Sequence, residues 1–564
     1  MLTRLSGLET EYAVRYTARD ALGKPDHRLI YQALVSSLGQ HTALVPARRR
    51  TFQQKYFTSN GGSICYEHLP THPTTGLFEG GTPECRGPLQ LLMYQRAQEQ
   101  LLRSAIPFAQ AQLAHAGYHG ELALIRNARD AFGNIYGPQE SYEIAGPTGY
   151  RRTLFRIIAT LALLWLPFGL GLMLALALPL ACLALGAHII NSVAVRISRI
   201  VRSNKDGTAS LQNNSADFHR RLAYAAYLIQ TVSLAPALIL LNQGLNRLVF
   251  DRLREQMASF IVSRTIFAGT GVLDDRFGFQ LCEKAIGIER YDRSALSMEG
   301  RSVFDNGHLL KCLVLPFLGD FEVIRLLFND RIRMQLGLGE SNRLDVAEFV
   351  KLGSTMLVID MIEAGYLAEA PRVSSPIDAL HAISADPNLG IAVYMQNGDY
   401  QTGLELQRWY QNKARQFVEA STVKSPESSK VVALWGELLD QLENKSTTLV
   451  GHIDWVTKYH LIEQSGEALT LGEKKKIDIK YHELGSGYAD WLVDEGLTIR
   501  LADDESIQHA VSHPPSDTPA WARGLFVNAA QTSHDVSVTW LGAYKGTFGG
   551  KQIIDFPGDR ETRT

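Results

Sequence analysis

Two glutamates near the start of the chain have the residue type and spacing of a metal site. The stretch "GLETEYAV" (Gly7–Val14) is predicted to be a β-strand, so Glu9 and Glu11 would point to the same face of a sheet. Neighbouring carboxylates repel each other unless a cation lies between them, and oxygen ligands suit Mg²⁺. The pair therefore indicates a magnesium site, although exposed glutamates on a strand give the same pattern.

Further carboxylates occur in two segments that follow. The segment "NGGSICYEH" (Asn60–His68) begins with a turn and continues as a short strand. Its side chains alternate between two faces, Ser63, Cys65 and Glu67 on one and Ile64, Tyr66 and His68 on the other. The next segment, "LFEGGTPECRGP" (Leu77–Pro88), supplies Glu79 and Glu84 around a Gly-Gly turn.

A third stretch, "LIRNARDAFGNIYGPQESYEI" (Leu124–Ile144), adds polar residues and glycines. Those of interest are Asn127, Asp130, Gly133, Tyr136 and Glu140. Acids can hold a metal ion, the metal neutralises phosphate, and glycines let backbone N–H groups approach a phosphate. The combination predicts a site for a magnesium-bound nucleotide.

Composition and charge exclude several other classes. The chain has 564 residues and a formal net charge of −2, so it lacks the basic field of a nucleic-acid-binding protein. Its five cysteines form no CxxC pair, which favours a reducing compartment and argues against a zinc ribbon. The first residues, "MLTRLSGLETEYAVRY", contain no apolar run of the secretory type.

The middle of the chain contains an uncharged run of membrane-crossing length. Between Arg156 and Arg196 lie 39 residues without Asp, Glu, Lys or Arg, and about 20 apolar residues suffice for one crossing helix. A second uncharged run, Leu222–Asn246, follows after a polar linker at 203–217. We predict integral attachment to membrane lipid through residues 157–195, with a contribution from the second run left open. A buried helix pair in a soluble protein is the alternative.

Chain topology restricts how the insert can cross. If the sequence on both sides builds one domain, the number of crossings is even. Either each run crosses once and exports the linker, or the first run turns back near Pro167 as a hairpin. Basic residues flank the linker, and positive residues favour the cytoplasmic side; they are Arg196, Arg199, Arg202, Lys205, Arg220 and Arg221. This charge pattern favours the hairpin, with the catalytic domain at the cytoplasmic face of the membrane.

Segments on both sides of the insert carry a resemblance to a known family. They include "GLETEY", "NGGSICYE", "FEGGTPEC" and "NARDAFGNIYGPQESYEI" before the insert. After it come "FIVSRTIFAGTGVL" (Phe260–Leu273), "GLGESNRLDVAEFVKLGSTMLVIDMIEAG" (Gly337–Gly365), "HIDWVTKYHLIE" (His452–Glu463) and "VSHPPSDTPAWARGLFVNAA" (Val511–Ala530). In this order they resemble the family of Pup ligases and Pup deamidases/depupylases, of the proteasome accessory factor A type.

The resemblance implies a fold, cofactors and partners. The implied fold is α+β, glutamine-synthetase-like, with a curved antiparallel sheet, flanking helices and a small C-terminal domain. The implied cofactors are ATP and Mg²⁺, and the implied partners are a small protein modifier ending in Glu or Gln and a lysine amine; a proteasome link is left open. The predicted divisions are 1–150 and 255–473 for the catalytic domain, 151–254 for the insert, and 474–564 for the C-terminal domain.

The resemblance also assigns roles to single residues. Metal ligands are Glu9, Glu11, Glu79 and Glu84. Catalytic residues are Glu67, Arg301 and His308. Cofactor-binding residues are Tyr66, Asn127, Asp130, Ser341 and Asn342. Glu67 stands where the family has an aspartate, and Gln139 stands where a histidine is expected.

Three activities are consistent with these residues. An ATP-dependent carboxylate–amine ligase would phosphorylate a glutamyl carboxylate and form an isopeptide bond. An amide hydrolase of the depupylase or deamidase type would use the same pocket, but residues 15–59 are short for that branch. A membrane-bound nucleotide-binding pseudoenzyme would explain the departures at Glu67 and Gln139. The sequence favours the ligase.

Overall fold

A computed structural model of the chain contains a large sheet covered on one face by helices. It describes residues 1–19, 23–48, 54–69, 72–130, 134–201, 224–225, 228–229, 231–294, 301–313, 315, 321–422, 425–445, 447–466, 468–530, 533, 535–546 and 552–556. The polar linker predicted at 203–217 lies outside the described residues.

The described strands, numbered in chain order, fall into four sheets. They are β1 (Leu5–Ala18), β2 (Leu44–Pro46), β3 (Lys55–Thr58), β4 (Ser63–Leu69), β5 (His72–Gly81), β6 (Cys85–Arg86), β7 (Gly120–Ile125), β8 (Gln139–Ala145), β9 (Val272–Asp274), β10 (Gly278–Gln280), β11 (Ile288–Asp292), β12 (Arg301–Phe304), β13 (Arg331–Leu336), β14 (Ala392–Tyr394), β15 (Tyr400–Thr402), β16 (Val536–Val538), β17 (Gly542–Lys545) and β18 (Gln552–Asp555). The pairs β9–β10 and β14–β15 and the three strands β16–β18 form the small sheets.

The described helices are mostly long. They are α1 (His27–Leu38), α2 (Gly87–His115), α3 (Gly149–Val201), α4 (231–244), α5 (Asp251–Ser263), α6 (Thr265–Ala268), α7 (Gly307–Leu310), α8 (Asp345–Glu363), α9 (Pro376–Ser384), α10 (Gly403–Ala420), α11 (Pro426–Glu443), α12 (Asp454–Gln464), α13 (Leu471–Tyr481), α14 (Tyr488–Asp494), α15 (Asp504–Ser512) and α16 (Ala520–Ala530). A π-helical turn, Leu245–Val249, continues α4.

The large sheet is mixed, where the sequence predicted an antiparallel one. Its order is β11–β12–β13–β8–β1–β5–β4–β3–β2, with β6 and β7 also paired to β1. Neighbours are antiparallel except for β11 and β12 at one edge, which are parallel. The strands from β13 to β2, which carry most of the predicted site residues, keep the antiparallel arrangement.

Strand β1 lies at the centre because four other strands pair along it. Its first half pairs with β8 on one side and with β5 and β6 on the other, and its second half pairs with β7. Thr10 and Tyr12 point toward α2, where Thr10 Oγ1 donates to Gln95 Oε1 at 3.3 Å and Tyr12 Oη donates to Gln98 Oε1 at 3.1 Å. Since strand side chains alternate, Glu9 and Glu11 point to the opposite, polar face.

Helices α2, α8 and α11 meet so closely that one glycine is required. A Cβ on Gly353 of α8 would overlap the methyl groups of Val431 on α11 and lie 3.2 Å from Pro88 Cγ on α2. Overpacking of this kind costs about 1–3 kcal/mol. We therefore expect Gly353→Ala to lower the midpoint of thermal unfolding measured by calorimetry.

Gly472, at the start of α13, provides the matched control. A Cβ there would meet no atom within 4 Å, and alanine is a better helix former than glycine by about 0.5–1 kcal/mol. Gly472→Ala should leave the midpoint unchanged or raise it slightly. Equal behaviour of the two variants would contradict the close packing of α8 against α11.

The first uncharged run forms one continuous helix rather than a hairpin. Helix α3 extends through Pro167 and Pro179, so the predicted turn near Pro167 is wrong. Leucine and alanine dominate this run and are strong helix formers, which offsets the hydrogen bond lost at each proline.

Length and composition allow the first part of this helix to cross a membrane. Among the described residues, the segment Gly149–Leu183 passes that test. Core helices of soluble proteins pass it too, but they are mostly buried, and only 17% of the apolar window here is buried. Membrane attachment stays a prediction at this stage.

The C-terminal part packs against one edge of the large sheet. Val538 and Ala543 of the sheet β16–β18 and Val527 of α16 form an apolar cluster with Val45 and Phe57 of the large sheet. This contact brings α16 close to the strands that carry the predicted site. The domain boundaries at 150, 254 and 473 stay predictions.

Candidate active site

One row of polar side chains runs across four strands of the polar face. The register pairs Glu11 with Glu79, Glu79 with Cys65, and Cys65 with Lys55. Directly opposed residues in antiparallel strands point to the same side of the sheet. The predicted metal ligands Glu11 and Glu79 are therefore neighbours, and Cys65 and Lys55 continue their row.

Three carboxylates converge at this row. Glu67, two residues beyond Cys65 on β4, lies within hydrogen-bonding range of both Glu11 and Glu79. The Cys65 thiol donates to Glu79 Oε2 at 3.1 Å. Gly137, in a left-handed conformation with φ of 98°, donates its N–H to Glu11 Oε2 at 2.7 Å. The sheet register thus assembles the carboxylate cluster Glu11, Glu67 and Glu79.

Glu9 lies beside the cluster but has cationic and amide partners of its own. Arg333 Nη2 donates to Glu9 Oε1 at 2.8 Å, and Gln335 Nε2 donates to Glu9 Oε2 at 3.3 Å. Both come from β13, which reaches the site through β8. Neither Arg333 nor Gln335 was predicted from the sequence, although the alternation in "RIRMQL" places them on one strand face.

The environment separates these carboxylates into two kinds. Burial and the charge of Glu11 raise the pKa of Glu67 to about 8, with Arg301 opposing. Burial raises the pKa of Glu79 to about 7, against the charge of Lys55. Although burial also disfavours ionised Glu9, the charges of Arg333 and Lys55 lower its pKa to about 2. Glu9 is therefore a fixed anion, whereas Glu67 holds a proton near neutral pH.

Two further cations border the cluster. Arg301 donates to the Ile135 carbonyl oxygen at 2.6 Å. Burial raises the pKa values of Glu11 and Glu67, and the charge of Arg301 opposes this rise. Lys284 Nζ donates to the Pro138 carbonyl oxygen at 2.7 Å, and burial lowers the pKa of Lys284 to about 8. The sequence predicted Arg301 near the site and contained no signal for Lys284.

His308 contacts Gln335 and Arg333, the two residues that bind Glu9, rather than the carboxylates themselves. Its ring nitrogens are 3.0 Å from Gln335 Oε1 and 3.0 Å from the Arg333 carbonyl oxygen. Burial lowers the pKa of His308 to about 4, so it is neutral at pH 7. The ring of His308 thus contacts Gln335 and Arg333 rather than the carboxylate cluster, and its catalytic role stays a prediction.

Tyr66 lies on the wrong side of the sheet for its predicted role. Its ring packs against Tyr31 of α1 with a centroid distance of 5.4 Å. Because neighbouring residues of a strand point to opposite faces, Tyr66 faces away from the carboxylates that its neighbour Glu67 joins. The prediction that Tyr66 binds the cofactor is corrected accordingly.

Two predicted acids have arginine partners instead of joining the cluster. Glu84 Oε1 is 3.2 Å from Arg523 Nη1 of α16, and its second oxygen also contacts this guanidinium. Glu140 lies on the helix-covered face, with Oε2 2.8 Å from Arg264 Nη1 and Oε1 2.7 Å from Nη2. In this structure, neither carboxylate is presented to the polar face as a metal ligand.

The other predicted cofactor-binding residues shape the surroundings. Ser341 and Asn342 are completely buried, and Asn342 Nδ2 donates to Asp454 Oδ2 at 2.9 Å behind the sheet, away from the polar face. Asn127 accepts a hydrogen bond from Tyr136 Oη at 2.7 Å, and Asp130 accepts one from the backbone N–H of Asn134 at 2.9 Å. These last two bonds shape the loop that leads to Gly137.

The cluster has the donor chemistry of a magnesium site completed by phosphate. Within the described residues, no group of three or more His, Cys, Asp or Glu side chains could hold a metal ion by itself. Mg²⁺, however, is commonly held by one or two carboxylates together with water and substrate phosphates. The raised pKa values of Glu67 and Glu79 mark carboxylates that a divalent cation would stabilise. The neighbouring pair Glu11 and Glu79 therefore fits such an ion when phosphate and water complete its coordination.

Comparison with known proteins places the chain among Pup ligases. The family model described as Pup-ligase protein matches residues 4–544. The chain is 24% identical over 552 residues to a Pup–protein ligase of Rhodococcus erythropolis (strain PR4), covering 96% of this chain and 93% of that one. It is 25% identical to a Pup–protein ligase of Pseudarthrobacter chlorophenolicus, covering 95% and 92%.

Two solved structures share the fold. The ligase PafA in complex with the prokaryotic ubiquitin-like protein Pup matches with a TM-score of 0.65 and 19% identity, covering all of this chain and 91% of that one. PafA in complex with ADP matches with a TM-score of 0.59 and 19% identity, covering 90% and 88%. Since the family model spans nearly the whole chain, this protein belongs to the Pup-ligase family and is a ligase enzyme.

Proposed function

We propose that this protein is an ATP- and Mg²⁺-dependent carboxylate–amine ligase acting on a small protein modifier. It would phosphorylate the side-chain carboxylate of a C-terminal glutamate and join it to a lysine amine. The convergence of Glu11, Glu67 and Glu79, bordered by Arg333 and other cations, carries this proposal. The relatives named as Pup–protein ligases and the structures of PafA with ADP and with Pup support it.

Different residues of the polar face would bind the metal ion, hold the phosphates and accept a proton in this reaction. Bound Mg²⁺ would neutralise phosphate charge, with Glu11 and Glu79 as its protein ligands. Arg333, Lys55 and Arg301 would hold phosphate oxygens while the γ-phosphoryl group passes from ATP to the substrate carboxylate and ADP leaves. Glu67 would accept the proton of the attacking amine as the phosphate leaves the acyl carbon.

Release of ADP tests the proposal directly. Purified protein would be incubated with Mg-ATP and peptides ending in glutamate or glutamine. We expect ADP release that needs the glutamate peptide and is lost in Glu9→Ala and Glu79→Gln. Glu121→Gln, on β7 outside the cluster, should retain it. Nucleotide-stimulated release of ammonia or amine without ADP would indicate the hydrolase, and bound nucleotide with neither product would indicate a pseudoenzyme.

Proton release on binding provides a test of the cluster without turnover. At pH 7 Glu67 is mostly protonated and Glu79 is about half protonated, from their pKa values of about 8 and about 7. A cation lowers both values, so binding of preformed Mg-ADP should release about one proton at pH 7 and fewer at pH 9. Calorimetry in buffers of different ionisation enthalpy measures this number.

The variant Glu67→Gln serves as the comparison for proton release. It removes the carboxyl group with the pKa of about 8 and should lower the number of protons released at pH 7. Unchanged proton release in Glu67→Gln would show that the nucleotide and its cation bind elsewhere.

The insert supports a second part of the proposal, a tether at the cytoplasmic face of a membrane. The apolar residues of α3 are largely exposed, with Leu164 65% and Leu183 70% accessible. A lipid bilayer would cover such side chains, whereas in water their exposure costs free energy. Recovery of the full-length protein in the membrane fraction, without extraction by alkaline carbonate, is the expected result.

A further inference from the structure

We infer that α3 and α4 each cross the bilayer as an antiparallel pair, so that the catalytic domain and the 203–217 linker lie on opposite sides. This inference deepens the proposed tether and does not depend on the ligase chemistry. It differs from the hairpin predicted from the basic residues around the linker alone. The partner of the exposed helix surface is the hydrocarbon interior of a membrane.

The contacts between α3 and α4 establish their antiparallel direction. Trp165 Nε1 donates to the Ser233 carbonyl oxygen at 2.9 Å. At the other end of the pair, Gly244 lies against Phe155 and Ile158. Residue numbers rise along one helix as they fall along the other. A chain that enters along α3 therefore returns along α4.

The pair is apolar on both its inner and its outer surface. Ala159, Ala162 and Leu166 of α3 are buried, as are Ala237 and Leu241 of α4. Small residues at such a contact let two helices approach closely, as in membrane helix pairs. The buried indole N–H of Trp165 has a carbonyl partner, as a hydrocarbon environment requires.

The outward-facing residues distinguish lipid from a second copy of the chain. Leu174, Leu176, Leu178 and Leu183 are between 43% and 70% exposed. At 100° per residue, Leu176 and Leu183 lie on the side of the helix opposite Leu174 and Leu178. One partner helix would cover a single stripe, whereas lipid covers the whole circumference.

The lengths of both runs match one crossing each. Residues 157–183 are uncharged and, at 1.5 Å per residue, span about 40 Å. The run 222–246 contains 25 residues, and a helix over its whole length would span about 37 Å by the same rule. The hydrocarbon core of a bilayer is about 30 Å thick, so each run crosses it with some tilt.

The flanking charges do not oppose this arrangement. Six basic residues flank the runs on the catalytic side, namely Arg151, Arg152, Arg156, Arg247, Arg252 and Arg254, which equals the six around the linker. The positive-inside rule depends on a difference between the two sides and decides nothing here. The continuity of α3 through Pro167 then settles the crossing pattern, since a turn inside the first run is absent from the described helix.

Cysteine accessibility tests the inference in the full-length chain. Cys182 is the exposed member of the five cysteines, so Cys182→Ser provides a background without an accessible thiol. Single cysteines would then be introduced by Ser210→Cys in the linker, Phe168→Cys in the middle of the crossing, and Leu497→Cys in the C-terminal domain, on the same side as the catalytic domain. A membrane-impermeant maleimide would be added to sealed vesicles of known orientation.

We expect the cysteines introduced at 210 and 497 to react from opposite sides, and the one at 168 to react only after detergent and denaturant. Reaction of 210 and 497 from the same side would overturn the double crossing while leaving the tether intact. Recovery of the protein in the soluble fraction, as a monomer or as an oligomer, would overturn both. ADP release measured on the same preparations reports separately on the ligase proposal.

A charge placed in the helix pair gives an independent readout. Leu164→Lys puts a cation on the outward face of α3, and we expect about a tenfold lower membrane fraction because a charge is costly in hydrocarbon. The control Leu497→Lys changes a leucine of similar exposure, 55%, in the C-terminal domain. Equal membrane fractions for the two variants would contradict insertion of α3.

Discussion

Replacement of Glu67 by glutamine should lower the rate of isopeptide formation by on the order of 10²–10⁴-fold, the usual contribution of a positioned general base. Glu67 lies within hydrogen-bonding range of Glu11 and Glu79, and its pKa of about 8 suits proton transfer near neutral pH. Glutamine keeps the size of the side chain but cannot accept the proton. Single-turnover transfer to a lysine peptide, with ADP release followed in parallel, would measure the step that is lost.

The pH dependence of kcat/KM in the wild-type enzyme and in Glu67 variants tests whether Glu67 acts as the base. Before nucleotide binds, the base form of Glu67 is scarce at pH 7 and increases up to and beyond pH 8, so kcat/KM for Mg-ATP, which reports the free enzyme, should rise over this range. The rise should be absent in Glu67→Gln. Glu67→Asp keeps the charge and shortens the reach, and should retain part of the rate. A wild-type rate in Glu67→Gln would remove Glu67 from the reaction.

Loss of the arginine buried behind the sheet should destabilise the protein strongly. Arg264→Met should lower the free energy of unfolding by about 3–5 kcal/mol, because it leaves an unpaired buried charge on Glu140. The pair is bidentate, with both N–O distances between 2.7 and 2.8 Å, and its side chains are at most 2% exposed. Urea unfolding followed by circular dichroism would measure the loss.

The double variant Glu140→Leu with Arg264→Met is the matched control for the ion pair. With no charge left unpaired, it should lose less stability than Arg264→Met alone. Glu140 is buried, but Arg264 lowers its pKa below the ordinary value, so the pair contributes stability above the unfolded pKa of a glutamate. That contribution should disappear as the pH falls through the folded pKa. A single variant as stable as the wild type would contradict this account.

The alternation of strand side chains explains which parts of the site were predictable. Glu9 and Glu11 share a face, as do Cys65 and Glu67, because a strand reverses its side chains at every residue. The same rule puts Tyr66 on the opposite face, which the resemblance to a family did not reveal. Strand alternation thus predicted the face on which each side chain lies, whereas a role assigned from the family resemblance did not.

The partners of those residues depended on segments far away in the chain. Arg333 is 324 positions from Glu9 in the sequence, yet it donates to that carboxylate. Glu84 and Glu140 are of a residue type that binds metal ions, but in the structure they form ion pairs with Arg523 and Arg264. No local pattern distinguishes a carboxylate that meets other carboxylates from one that meets a guanidinium.

The resemblance to the family, the strand faces of the carboxylates and the apolar length of the insert follow from the sequence, since each depends on local order or composition. The single row formed by Glu11, Glu79, Cys65 and Lys55 is visible only in the folded chain, because register depends on how separate strands pair. The folded chain also shows that α3 continues past Pro167 and packs against α4. A proline permits either a turn or a continued helix, and contacts with a distant segment select between them.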